Sequence, residues 1–343
     1  VKTDIKSLTP KRLEEGLAAM GEPRYRAAQI FGWLHRQGTL RFEEMQNLPL
    51  ALRRRLDEEF YINALTVRSR QQSADGTVKY LFGLRDGNTV ETVLMRHHHG
   101  NSLCVSSQVG CRMGCRFCAS TQGGLVRGLT PAEILDQVYA SGRESGLRID
   151  SVVLMGIGEP LDNYDNVVTF LELITVPEGL NMSHRHISLS TCGLADGIDR
   201  LAELKLQLTL SVSLHAADDR IRTELMPVNR LFGIEALMAA CRRYIKATGR
   251  RVSFEYALFD GVNDGEADAV RLAALVRGMN CHVNLIPANP VAQSPYRRSP
   301  RAAQFLKKLQ TLGVNATMRR ELGTDIAAAC GQLRRQTEGG ITQ

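Results

Sequence analysis

No stretch of this 343-residue chain approaches the roughly 18 consecutive apolar residues of a membrane-spanning helix, so no helical membrane anchor is expected. The first twenty residues are polar and charged, unlike the apolar core of a signal peptide, and the expected compartment is the cytoplasm. Internal repeats are absent, as is any low-complexity tract beyond His97, His98 and His99, which excludes a solenoid. Also missing is the six-residue glycine fingerprint of a dinucleotide fold: Gly156-Ile157-Gly158 stands without its third glycine. Acidic residues are outnumbered, 36 against 43 Lys and Arg, and the net charge of +7 favours a polyanionic partner such as nucleic acid. Cysteines are few for a disulfide framework, eight in all, and four of them crowd between Cys104 and Cys118. That density in so long a chain suits reduced thiols at a metal centre.

What is present divides into three stretches. Residues 1–62 read as helices, starting at Thr9-Pro10 and continuing at 25–37 and 50–60 with apolar residues at helical spacing. Residues 63–98 change to short alternating runs at 77–84 and 89–95 around the turn Asp86-Gly87-Asn88, predicting a small antiparallel hairpin region that bridges two domains. From 99 to 343, apolar strands at 103–107, 151–155, 186–190, 206–214, 252–259, 282–286 and 315–319 alternate with amphipathic helices. The clearest helix starts at Thr130, with Pro131 in its first turn and Glu133 completing a capping box. Such alternation predicts an α/β fold with a parallel sheet, a partial (βα)6 barrel, preceded by the helical domain and the hairpin extension. In barrels the chemistry sits where strands run into loops, and Gly-Ile-Gly-Glu-Pro, Ser-Thr-Cys-Gly and Ser-Leu-His each follow an apolar run here.

Cys111, Cys115 and Cys118 form a C-x-x-x-C-x-x-C motif. Thiolates on one short loop can each reach a different iron of a cubane cluster, and three of them leave one iron open to a substrate. Phe117 beside the last thiol could shield the cluster. A structural zinc site is the alternative and needs a fourth ligand, from Cys104 or one of the histidines 97–99.

With Gly158-Glu159 after the next strand, these residues resemble the radical S-adenosylmethionine (SAM) superfamily. Leu103-Cys104-Val-Ser-Ser-Gln-Val-Gly-Cys111, Gly158-Glu159-Pro160-Leu161, Ser213-Leu214-His215, Leu225-Met226-Pro227 and Asp325-Ile-Ala-Ala-Ala-Cys330-Gly-Gln-Leu333 resemble, within it, the RlmN/Cfr family of RNA adenine methyltransferases. The resemblance runs from the N-terminal helices to about Leu333. It implies a [4Fe-4S] cluster on the three cysteines and SAM held by Gly158, Glu159, Ser190, Ser213, Leu214, His215 and Asn289. It also implies an S-methylcysteine intermediate on Cys330, a resolving thiol at Cys104 that forms a transient disulfide with Cys330, and Glu91 as proton acceptor. Two SAM are used per turnover. The implied substrates are an adenosine of 23S rRNA, methylated at C2, and an adenosine of some tRNAs. A sister group acts at C8 of the same rRNA base, and Gly158-Glu159-Pro160 and Arg319-Arg320-Glu321 look more like the C2 enzymes. An external flavodoxin-type electron donor and a monomeric state complete the expectation.

From the residues alone, Cys330 and Cys104 could be small buried side chains and Glu91 a solvent-facing strand residue. Cys192, Cys241 and Cys281 read as structural, Cys192 being next to a cofactor loop. Arg24, Arg26, Arg36, Arg53, Arg54 and Arg55 on the N-terminal helices predict a phosphate-contacting surface, against the plainer reading of a solvated charged face. The competing functions are a radical SAM enzyme for a small molecule and a non-catalytic iron-sulfur or zinc protein that binds RNA.

Overall fold

A computed structural model describes residues 2–289, 291, 294–328, 332 and 333. Ten strands form one sheet whose spatial order is the order of the chain: β1 (Thr66–Gln72), β2 (Val78–Gly83), β3 (Thr89–His97), β4 (Gly100–Cys104), β5 (Ser151–Leu154), β6 (Ile187–Thr191), β7 (Thr209–Ser213), β8 (Val252–Leu258), β9 (Cys281–Pro287) and β10 (Ala316–Met318). The first four are antiparallel neighbours. From β4 to β10 every pairing is parallel. Parallel neighbours need long crossovers, and helices supply them. They are α4 (Pro131–Ser145), α5 (Tyr164–Thr175), α6 (Ala195–Glu203), α7 (Asp219–Leu225) with α8 (Ile234–Thr248), α9 (Glu266–Val276) and α10 (Ala302–Thr311), after α1 (Pro10–Ala19), α2 (Tyr25–Phe31) and α3 (Leu50–Glu59). The result is the open (βα)6 barrel that the alternation predicts, with β10 as a last strand.

The strands' two faces divide the labour. Leu103, Val152, Leu189, Val212, Phe254 and Leu285 point outward and are fully buried under the helices. Their alternates line the barrel interior, and register sets Ser190 beside Ser211, Ser213 beside Glu255, and Glu255 beside Asn284. A closed barrel fills its interior with bulky branched side chains. Here small and polar ones leave room for a ligand.

Two differences from the sequence pattern matter. The stretch before the barrel is a three-stranded meander, because the fully exposed β1, too polar to be read as a strand, pairs with β2. It is also no separate bridge: β3 pairs with β4, so the meander continues the barrel sheet. The first barrel strand lies three residues earlier than 103–107, ending at Cys104.

The N-terminal helices keep their predicted positions. Thr9 caps α1 by accepting from Arg12 N–H, and α2 runs on as a π-helical turn, Gly32–Gln37, that stops at Gly38 with φ +67°. A buried polar cluster joins this unit to the barrel. Lys6 Nζ pairs with Asp136 on α4, and Asn63 Nδ2 donates to the same carboxylate at 2.5 Å.

Candidate active site

Beyond Cys104 the chain re-forms as a short strand, Gln108–Gly110, paired antiparallel with Leu125–Gly128. This ribbon holds the two ends of the cysteine loop together. Gly110 has φ +79°, and a Cβ there would strike the Gly124 carbonyl, so only glycine closes the loop. Cys111, Cys115 and Cys118 line one cavity at the carboxyl ends of the parallel strands. Burial pushes the Cys111 thiol up to about 12 and that of Cys115 well above its ordinary value.

The donor set suits an iron-sulfur cluster. Among the described residues no three His, Cys, Asp or Glu side chains converge on one point, and three thiolates on one loop are the ligand type of such a cluster. The histidines 97–99 lie where β3 turns into β4, at the other end of β4 from the cysteine loop. Phe117 packs edge-on against His215, ring centroids 4.9 Å apart, and against Phe259, forming an apolar wall beside Cys115.

Gly158, Glu159, Ser190, Ser213, His215 and Asn289 line the same cavity. Leu214 does not: its side chain is buried in the outer core, and only its backbone approaches the site. Gly158 has φ +109° and a Cβ would lie 2.6 Å from that of Gln108. Glu159 is buried, and each carboxylate oxygen accepts one backbone N–H, from Cys192 at 2.7 Å and Leu161 at 3.1 Å. A carboxylate has lone pairs to spare for a ligand. Desolvation raises its pKa against these hydrogen bonds. His215, at φ +54°, accepts from Ala257 N–H through Nδ1 at 2.9 Å, so its proton sits on Nε2. Burial, helped by the Arg222 cation, lowers its pKa to about 3, and the ring stays neutral.

Several site residues carried no legible signal. Gln108 clamps the two loops together, Oε1 accepting from Glu159 N–H at 2.8 Å while Nε2 donates to Asp162 at 2.9 Å. Arg222, fully buried, donates to the carbonyls of Cys192, Ser213 and Leu214, tying the ends of β6 and β7. Cys192 lines the cavity, whereas Cys241 is buried in α8 and Cys281 begins β9. Glu255 and Arg319 also line it. A lone Arg in a helix or Gln in a short strand has no spacing that marks it.

A second cavity adjoins the first, sharing Met155, Asn289, Arg319 and Leu333 with it, and Cys104 lines this one. Cys104 packs with Val93, Ile157, Ala328 and Leu333. Cys330 lies outside the described residues, but Ala328 and Leu333, on either side of it in sequence, both belong to that cluster. Glu91 is only 2% exposed, so it is no solvent-facing strand residue, and Lys79 Nζ lies 3.4 Å from its Oε1.

Comparison with known proteins decides the family. The Radical SAM superfamily model matches residues 105–273, and that of the ribosomal RNA large subunit methyltransferase N-terminal domain matches residues 3–62. A probable dual-specificity RNA methyltransferase RlmN of Lachnospira eligens is 51% identical over 97% of this chain and 96% of its own length. The chain belongs to the RlmN family of radical SAM RNA methyltransferases. Its RlmN-type relative in Pelotomaculum thermopropionicum is 54% identical over 98% of this chain and 92% of that protein. A crystal structure of a radical SAM methyltransferase from Sphaerobacter thermophilus superposes with a TM-score of 0.91 at 46% identity, covering 96% of this chain and 99% of that one.

For an RlmN-family protein the N-terminal arginines invite a role toward RNA, and the structure sorts them. Arg53 and Arg55 donate to the carbonyls of Glu43 and Met20, and Arg26 to that of Asn47, holding the helical unit together. Arg24, Arg36 and Arg54 are exposed, as is Arg55 beside its bond to Met20. Reversing Arg53 or Arg55 would therefore also break packing within this unit.

Proposed function

We propose that this enzyme methylates C2 of an adenosine in 23S rRNA, and of an adenosine in some tRNAs, through a methyl group carried on Cys330. The observation that carries this reading is the junction of two cavities: one walled by the three cluster cysteines and the SAM-type loops, the other by Cys104. C2 of adenine is an electron-poor amidine carbon and no nucleophile toward SAM, so the chemistry must be radical. Cys111, Cys115 and Cys118 would hold a [4Fe-4S] cluster, which would supply one-electron chemistry: the electron for cleaving SAM to a hydrogen-abstracting radical, and an acceptor for the electron that the RNA adduct must lose.

The protein's own groups do the rest. Gly158, Glu159, Ser190, Ser213, the Leu214 backbone, His215 and Asn289 hold SAM. Cys330, methylated by a first SAM, presents its S-methyl group, which loses a hydrogen atom to the radical from a second SAM and adds to C2 as a methylene. Glu91 takes the proton that leaves C2. Cys104 thiolate then attacks the Cys330 sulfur. An S–S bond forms and the S–CH2 bond breaks, its electron pair leaving with carbon, which takes up a proton to become the methyl.

On this reading, residues 1–62 bind RNA, 63–98 carry the base and 99–343 form the catalytic barrel. The target base is extruded to reach the cavity mouth. The test is mass spectrometry of nucleosides from a 23S rRNA fragment and a tRNA, incubated without oxygen with reconstituted enzyme, a flavodoxin-type reductant and methyl-labelled SAM. Labelled 2-methyladenosine is the expected product. Labelled 8-methyladenosine would place the enzyme with the C8 group, and SAM cleavage without methylated adenosine would remove the substrate assignment.

A further inference from the structure

Lys79 holds two features of this site together. On the paired strands β2 and β3, Lys79 stands opposite Val93 and Leu81 opposite Glu91, which sets Lys79 and Glu91 diagonally on one face. Both side chains are largely buried, 11% and 2% exposed, and Nζ lies 3.4 Å from Glu91 Oε1. An ammonium at this distance offsets part of the cost of burying the carboxylate. The same ammonium donates to the Ala327 carbonyl at 3.4 Å.

That second contact belongs to a wider latch. In the turn before β2, Asp75 Oδ2 accepts from Gly323 N–H at 2.9 Å, and Ala74 N–H donates to Asp325 Oδ2 at 3.3 Å. Ala328 N–H returns to the Gly323 carbonyl at 2.9 Å, closing the segment on itself. Gly323 is left-handed at φ +62°, and a Cβ there would meet Ala328 and Thr77 at 2.9 Å. The meander thus grips residues 323–328, the approach to Cys330, at the place where it presents Glu91.

We propose that Lys79 is a positioning residue that holds Glu91 by an ion pair and docks the 323–328 segment against it, so that the base faces the RNA adduct only when the segment is latched. The proposal rests on the assignment of Glu91 and Cys104 above. It is distinct from a merely structural ion pair, which would stabilise the meander without affecting release of RNA.

The experiment is a single anaerobic turnover of reconstituted full-length enzyme with target RNA, followed on denaturing gels and by intact mass. Cys104→Ala serves as reference for a trapped RNA–protein adduct. Lys79→Met is expected to retain Cys330 S-methylation but to release RNA about a hundredfold more slowly, the scale of a lost general base. Adduct should accumulate, and Lys79→Arg, which keeps the cation, should restore release. Release at the native rate from Lys79→Met, with Cys104→Ala trapping adduct, overturns the proposal. If Cys104→Ala itself traps nothing, it is the release mechanism that falls. Should Lys79→Met fail to fold, Asp75→Ala unties Gly323 with the ion pair intact; slowed release supports the latch, and native release with faster hydrogen exchange at 323–328 refutes it.

Discussion

At the scale of single residues, the site depends on backbone conformations that few side chains tolerate. Gly158 joins β5 to the Glu159 turn at φ +109° with no room for a Cβ against Gln108. Gly158→Ala is expected to cost about 1–3 kcal/mol of local strain, read as a lower denaturation midpoint and a SAM affinity weakened about tenfold or more. An unchanged SAM affinity would mean that the Gly158 loop does not shape the cofactor wall. Motif spacing marks Gly158 and Glu159 but not the Gln108 amide that locks them, since a lone glutamine looks the same whether or not it bridges two loops.

Among elements, the decisive contact is between the N-terminal segment and α4. Lys6 and Asp136 are almost fully buried, and Asp4 sits beside them, its Oδ1 accepting from the backbone N–H groups of Asn63 and Lys6. Desolvation first, and the Asp136 charge second, raise the Asp4 pKa to about 7 from 3.8. A carboxyl whose pKa is raised on folding contributes stability that is complete below its unfolded pKa and is lost as pH rises through its folded one. The native chain should therefore lose stability at this site as pH rises from about 4 to about 7, by something on the order of 4 kcal/mol. Asp4→Asn keeps the acceptor oxygen without the charge and should flatten that window in denaturant titrations. An equal pH dependence in native and variant would show that Asp4 is not the group responsible.

For the whole molecule, function joins the barrel mouth to a surface that must hold RNA. Of the six N-terminal arginines four are exposed, and Arg55 among them is tied to the Met20 carbonyl, which leaves Arg24, Arg36 and Arg54 to offer their charge to phosphates. Reversing these three to Glu should weaken RNA binding, reduce the salt dependence by about one unit of slope per lost phosphate contact, and leave SAM cleavage without RNA intact. RNA affinity and salt slope that do not move would assign binding to another face.

The sequence by itself determined the class of architecture and the cluster motif, because both are local: strand and helix periods repeat along the chain, and Cys111, Cys115 and Cys118 share one loop. Thr130, Pro131 and Glu133 announced α4 for the same reason, and the capping box is formed as read. Convergence was decided by the tertiary structure alone. That Ser190 and Ser213 face one cavity follows from strand register, that Arg222 braces two strand ends follows from burial, and that Lys79, paired with Glu91 across a hairpin, also meets Ala327 follows from a contact spanning 248 residues. Distances of that kind are set by packing between elements, and no periodicity along the chain encodes them.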